Sequence, residues 1–109
     1  MGIDLATLGI KTVLSVGEPG AAIPATRQRL KAGWGAFIND GYGMTELFPL
    51  GGGCRHSRAL HIASDLVITE IVDAETGTPV APGEPGEIVY TNLVGDSQPL
   101  LRYRTRDIA

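Results

Sequence analysis

"KTVLSVGEPGAAIPATRQRLKAGWGAFINDGYGMTE", residues 11–46, decides the fold class. "KTVLSVG" (11–17) is a short β-branched and apolar run stopped by Gly17, the pattern of a buried strand that enters a loop at "GEPGA". Over residues 23–32 the sequence predicts a helix. Pro24 suits its first turn, Arg27, Arg29 and Lys31 tolerate solvent, Gly33 can close it, and Trp34 reads as an aromatic finishing its end. "AFIND" is a second brief apolar run, ending at Gly41. Strand, helix and strand in this order are the grammar of a parallel α/β unit, in which ligands gather at the carboxyl ends of strands. The glycine loops at 17–20 and 41–43 fall at those ends.

Downstream the pattern changes. "LHI" (60–62), "DLVITEIVD" (65–73), "GEIVYTNL" (86–93) and "PLLRYRT" (99–105) are β-rich runs separated by turn chemistry at "AETGTP" (74–79) and "APGEPG" (81–86). The expected fold is therefore α/β, a strand-helix-strand unit followed by a mainly antiparallel β segment. In "DLVITEIVD" both faces are mostly apolar, so both are expected to be covered, with Glu70 a pleat-facing structural carboxylate.

With 109 residues the chain has room for one domain or for part of a larger one. Hydrophobic residues at 43% and charged residues at 19% place it with globular proteins and away from disorder. A net charge of -3 with no basic run argues against a nucleic-acid partner or an anionic bilayer. No secretory leader or membrane-spanning run is evident, and Cys54 is the single cysteine, so a cytoplasmic location is expected. An apolar sheet face left uncovered could drive self-association.

The chemistry centres on "YGMTE" (42–46). Glycines on both sides of Tyr42 let a flat ligand approach the backbone, the ring can stack on a purine, and Thr45 and Glu46 can serve phosphate oxygens and their metal. Five residues alone are equally compatible with a turn and a helix cap in which Thr45 or Glu46 meets the next backbone donors. Cys54 and His56 form a Cys-x-His pair after "GGG", open to a second interpretation as a buried thiol beside a surface histidine. A Cys54 nucleophile with a histidine base has little support, and His61 reads as a strand residue.

"YGMTE" resembles the Tyr-Gly-x-Thr-Glu signature of the adenylate-forming superfamily. "VGEPG" (16–20) is similar to its upstream Gly-x-Glu-Pro loop and "YRTRD" (103–107) to its downstream Tyr-Arg-Thr-x-Asp block. "GEPGEIVYTNL" (83–93) matches the family's Gly-Glu-Leu/Ile strand. "SQPLLRYRTRD" (97–107) resembles the phenylacetate-CoA ligase branch, where arginine replaces the usual glycine before the aspartate.

The resemblance implies a single partial domain, residues 1–109, from the large N-terminal, AMP-binding domain of such an enzyme. The phosphate loop and the C-terminal lid domain of the family are not among these residues, so the isolated chain is expected to be inactive or nearly so. It further implies a parent that is an ATP-dependent, AMP-forming aryl-acid CoA ligase using ATP, Mg2+ and CoA, with this stretch contributing the adenosine pocket. By the same resemblance Gly17, Glu18 and Pro19 flank adenine, Asp40 meets its amino group and Tyr42 stacks on it. Thr45 contacts phosphate, Glu46 helps to hold magnesium, and Asp107 accepts from both ribose hydroxyls, a task suited to a two-oxygen acceptor. For Asp107 a salt bridge with Arg104 or Arg106 is the structural alternative. Cys54 and His56 fall where the branch carries half of a structural zinc site, with the other ligands upstream. Two alternatives stay open: a deazaflavin-adenylylating synthetase of the same branch, and a non-catalytic nucleotide-binding or interaction module.

Overall fold

The computed structural model describes residues 2–57, 59–95 and 97–109. They form two compact units, Met1–Ile62 and Ala63–Ala109. No helix among the described residues is long and apolar enough to cross a membrane, which leaves β-barrels unaddressed.

The first unit opens with a short 3-10 turn, Leu5–Leu8, whose N-cap Asp4 accepts from the Ala6 amide at 3.0 Å. Strand β1 (Thr12–Val16) is followed by helix α1 (Pro24–Trp34) and strand β2 (Phe37–Met44), and β1 and β2 run parallel. This is the strand-helix-strand unit predicted from residues 11–46. The helix runs beyond Gly33, however, and Gly35 ends it. Gly35 takes the left-handed conformation at φ 61° and donates its amide to the Lys31 carbonyl at 2.9 Å, a closure that costs a side chain more than it costs glycine. Trp34, expected just past the helix, is its last residue.

Two further strands complete this sheet, in the order β1-β2-β3-β4, with β3 at Leu47–Gly52 and β4 at His61–Ile62. The sequence predicted an end to β2 at Gly41 and no strand in the glycine-rich stretch after it. Instead β2 continues through Met44 because β3 folds back and pairs antiparallel along it. Thr45 and Glu46 form the turn between the two strands, and no helix follows for them to cap. Ala21, Ala36, Ile38 and Leu50 are buried in this unit.

The second unit is an antiparallel sheet of β5 (Val67–Val72), β6 (Glu87–Asn92) and β7 (Tyr103–Ile108), in that order, as the sequence predicts, except that the run "LHI" grouped with them pairs with β3 in the first unit. Strand β7 begins later than the run "PLLRYRT" suggested and carries Asp107 within it. Val67, Val72, Val89 and Tyr90 form the core, and Glu87 is buried beside them. Complete cover on both faces of β5 is not observed, since Ile68 is half exposed. Leu14 and Val16 on β1 and Leu101 and Ile108 in the second unit also carry large apolar surface to solvent.

Candidate functional site

In the first unit, parallel register fixes the relation between two of the predicted motifs. Ser15 lies opposite Asp40 and Val16 opposite Gly41, so Gly17, Glu18 and Pro19 leave β1 where Tyr42 sits on β2. The loop is tied to the start of α1 from two directions. The Ile23 amide donates to the Pro19 carbonyl at 3.3 Å, and Arg27 Nε donates to the carbonyl of buried Ala21 at 2.6 Å. Glu18 is exposed.

Tyr42 therefore stands on a strand and not in a loop, half-buried, with Asp40 two residues before it on the same face by strand alternation. The glycine before it, Gly41, serves strand packing. Gly41 pairs with Gly52, and a Cβ there would lie 3.1 Å from Val16 Cγ2 and 3.3 Å from Leu14 Cδ1. Gly51 stands opposite Tyr42 itself, and the register then shifts before Met44 pairs with Leu47, so that β2 is irregular at Gly43. The Asp40 carbonyl accepts from the Gly53 amide at 2.7 Å, which fixes the backbone on one side of the tyrosine. Thr45 and Glu46 are exposed at the turn, where hydroxyl and carboxylate oxygens can meet a phosphate or a hard cation.

Cys54 follows Gly53 and is half-buried. Its sulfur lies 3.1 Å from Nε2 of His61, whereas His56 is exposed and reaches the same sulfur with its backbone amide at 3.4 Å. His61 lies on β4, as its reading as a strand residue expects, but no spacing rule links it to Cys54, seven residues earlier and just past the end of β3. The pairing of Gly52 with His61 between β3 and β4 brings them together. Among the described residues no group of three or more His, Cys, Asp or Glu side chains could hold a metal. Thiol and imidazole suit zinc, yet they supply only two of the four ligands of a closed tetrahedral shell.

In the second unit Asp107 is exposed on β7, and its charge adds to burial in raising the Tyr90 phenol above its usual pKa, with burial the larger cause. Arg104, one of the two partners considered for Asp107, is engaged by Glu87, which accepts from its Nε at 2.9 Å and from its Nη2. That bond, ahead of the opposing effect of burial, holds the Glu87 carboxyl below the usual range, with the Arg106 amide adding to it. Arg106 has φ 66°, in the left-handed region that costs an L-residue about 1–2 kcal/mol. Glu70 accepts from Arg102 Nε at 3.1 Å, in keeping with its expected structural role.

No protein-family model matches the chain. It is 33% identical over 111 aligned positions to a phenylacetate-coenzyme A ligase of Aromatoleum evansii, covering 99% of this chain and 25% of that protein. It is 36% identical over 87 positions to the phenylacetate-coenzyme A ligase of Thermus thermophilus, covering 77% of this chain and 20% of that protein. Among solved structures it is similar to a 2-hydroxyisobutyryl-CoA ligase in an open conformation in complex with 2-HIB-AMP and CoA. There the TM-score is 0.91 at 30% identity, over 97% of this chain and 24% of the other. The chain thus spans a quarter or less of the relatives it matches. Sequence likeness along the chain and likeness of fold agree: this protein belongs to the adenylate-forming superfamily, in its phenylacetate-CoA ligase-like branch.

Proposed function

We propose that the whole protein is an ATP-dependent, AMP-forming CoA ligase for an aromatic carboxylic acid, and that this stretch supplies its adenosine-binding residues. The observation that carries the proposal is the parallel register of β1 and β2, which ends with Val16 opposite Gly41, one residue before Gly17 on the first strand and Tyr42 on the second. A purine needs a narrow slot with an aromatic wall, and a ring flanked by glycines next to a tied loop is suited to form one. Relatives named phenylacetate-coenzyme A ligases support the substrate class.

In this reaction a carboxylate oxygen attacks the α-phosphorus of ATP and pyrophosphate leaves. The CoA thiolate then attacks the acyl carbonyl and AMP leaves. Tyr42 stacks on adenine, Asp40 meets its exocyclic amino group, and the backbone at 17–19 flanks it. Asp107 accepts from the ribose hydroxyls. Thr45 bonds a phosphate oxygen, and Glu46 is the carboxylate that would hold Mg2+, which supplies charge compensation at the phosphates when bound. These groups align the reactants and offset developing charge.

A stacked base contributes about 1–3 kcal/mol, less than the roughly 4 kcal/mol that binding at 1 mM requires, so Tyr42 acts together with the other contacts. In the whole protein Tyr42→Ala is expected to raise the KM for ATP about 5- to 150-fold while Tyr42→Phe stays near wild type. An unchanged KM in the alanine variant would remove the stacking role. Steady-state AMP release with phenylacetate and CoA tests the activity, and pyrophosphate release without AMP release, requiring a deazaflavin that keeps the adenylyl group, would reassign the enzyme within the same branch.

Cys54 and His61 are proposed as half of a structural zinc site completed by other parts of the whole protein, since the His61 imidazole reaches the sulfur whereas His56 reaches it with its backbone amide. Elemental analysis of the purified whole protein should then find one zinc per chain, lost in Cys54→Ser and in His61→Ala. Absence of stoichiometric zinc sinks the assignment, and loss in His56→Ala with retention in His61→Ala returns it to the Cys-x-His pair.

A further inference from the structure

Glu87 is only 3% exposed, and a buried carboxylate persists when it is paired and hydrogen-bonded. Both of its oxygens are spent on one short segment of β7. Oε2 accepts from the Arg104 guanidinium, and Oε1 accepts from the Arg106 backbone amide at 3.0 Å. The register explains what is being held. Val89 pairs with Arg104 and Glu87 with Ile108, so residues 105–107 stand against Ile88 alone. Regular pairing onward from Val89 and Arg104 would have set Glu87 opposite Arg106 and carried Asp107 past the end of β6. The segment is therefore a bulge, and bulges re-aim side chains. Inside it, Thr105 Oγ1 donates to the Ile88 carbonyl at 2.9 Å and accepts from the Asp107 amide at 3.0 Å. Arg106 adopts its left-handed conformation between the Arg104 and Asp107 anchors.

We infer that Glu87 is a positioning residue: by gripping the Arg104 side chain and the Arg106 amide, it holds the 105–107 bulge in the shape that presents the Asp107 carboxylate to the ribose hydroxyls of the nucleotide. The inference rests on the proposed ribose role of Asp107. Glu87, with both oxygens taken by Arg104 and the Arg106 amide, acts through Asp107.

The test compares ATP with 2′-deoxy-ATP in the whole protein. Wild type should prefer ATP by about 10- to 100-fold, the worth of a hydrogen bond to a charged acceptor. Glu87→Gln keeps the shape but loses the charge that grips Arg104, and the preference should fall to about threefold or less, with the KM for the acid unchanged. Arg104→Lys keeps the charge without the planar fork, so it should lose part of the preference, and it decides the matter if Glu87→Gln does not fold. Asp107→Ala separates the two layers. If it abolishes the preference while Glu87→Gln and Arg104→Lys leave it intact, or lose ATP and 2′-deoxy-ATP equally, Glu87 is structural only and the inference falls while the ribose role stands. If Asp107→Ala itself keeps the preference, the ribose role fails and the inference goes with it.

Discussion

Replacing Asp107 by alanine in the whole protein is expected to weaken ATP binding by about 100-fold or more, since two hydrogen bonds to a charged acceptor at about 1.5–3 kcal/mol each would be lost and each 1.4 kcal/mol is tenfold. The fold should survive, because Asp107 is exposed on β7 and belongs to none of the buried core. Calorimetric titration with ATP, paired with a thermal melt, separates loss of binding from loss of structure. Asp107→Asn keeps one neutral acceptor oxygen and should fall between wild type and alanine. Wild-type affinity in the alanine variant would detach Asp107 from the nucleotide and leave it as a surface carboxylate.

Gly86→Ala is expected to be among the most disruptive small substitutions in the chain. A Cβ at this position would lie 2.8 Å from Ile71 Cγ2 and 2.8 Å from the Val72 carbonyl oxygen. Favourable contacts between carbon atoms begin at about 3.5 Å, so something must move. The Ile71 side chain could turn aside. The Val72 carbonyl cannot do so cheaply, because Val72 is buried and belongs to a strand paired with β6 at the next residue, Glu87. Overpacking of this kind costs about 1–3 kcal/mol and occasionally more. Gly86 also exchanges two backbone hydrogen bonds with Ala109, at 3.1 and 3.0 Å, so a displaced Gly86 would pull on the backbone two residues past Asp107. The expected result is a lowered midpoint of thermal unfolding together with a raised KM for ATP. A variant with the wild-type midpoint would show that β5 and β6 are not packed as described.

The α/β unit was legible because its signals are local. Thr12 to Val16 are apolar or β-branched at all but Ser15, Pro24 starts the helix, and glycines mark the exits, each acting within a few residues of itself. The helix end was misplaced by two residues because Gly33 and Gly35 are equally able to stop a helix on paper. Strand β3 was illegible for a stronger reason. "LFPLGG" holds a proline and two glycines, types depleted in strands, and its conformation comes from pairing with β2 on one side and β4 on the other. The same pairing turned Tyr42 from a loop residue into a strand residue.

Composition and motif order were enough to determine what kind of protein this is: a globular α/β chain with Gly-x-Glu-Pro, Tyr-Gly-x-Thr-Glu and Tyr-Arg-Thr-x-Asp in the order of the adenylate-forming superfamily. Tertiary structure alone decided which side chains meet. Glu87 meets Arg104 and Arg106, 17 and 19 residues away in the chain, and the pairing of β3 with β4 brings Cys54, just past β3, to His61. Periodicity and turn chemistry act over a few residues, whereas strand register is set by long-range pairing that no short window of sequence contains.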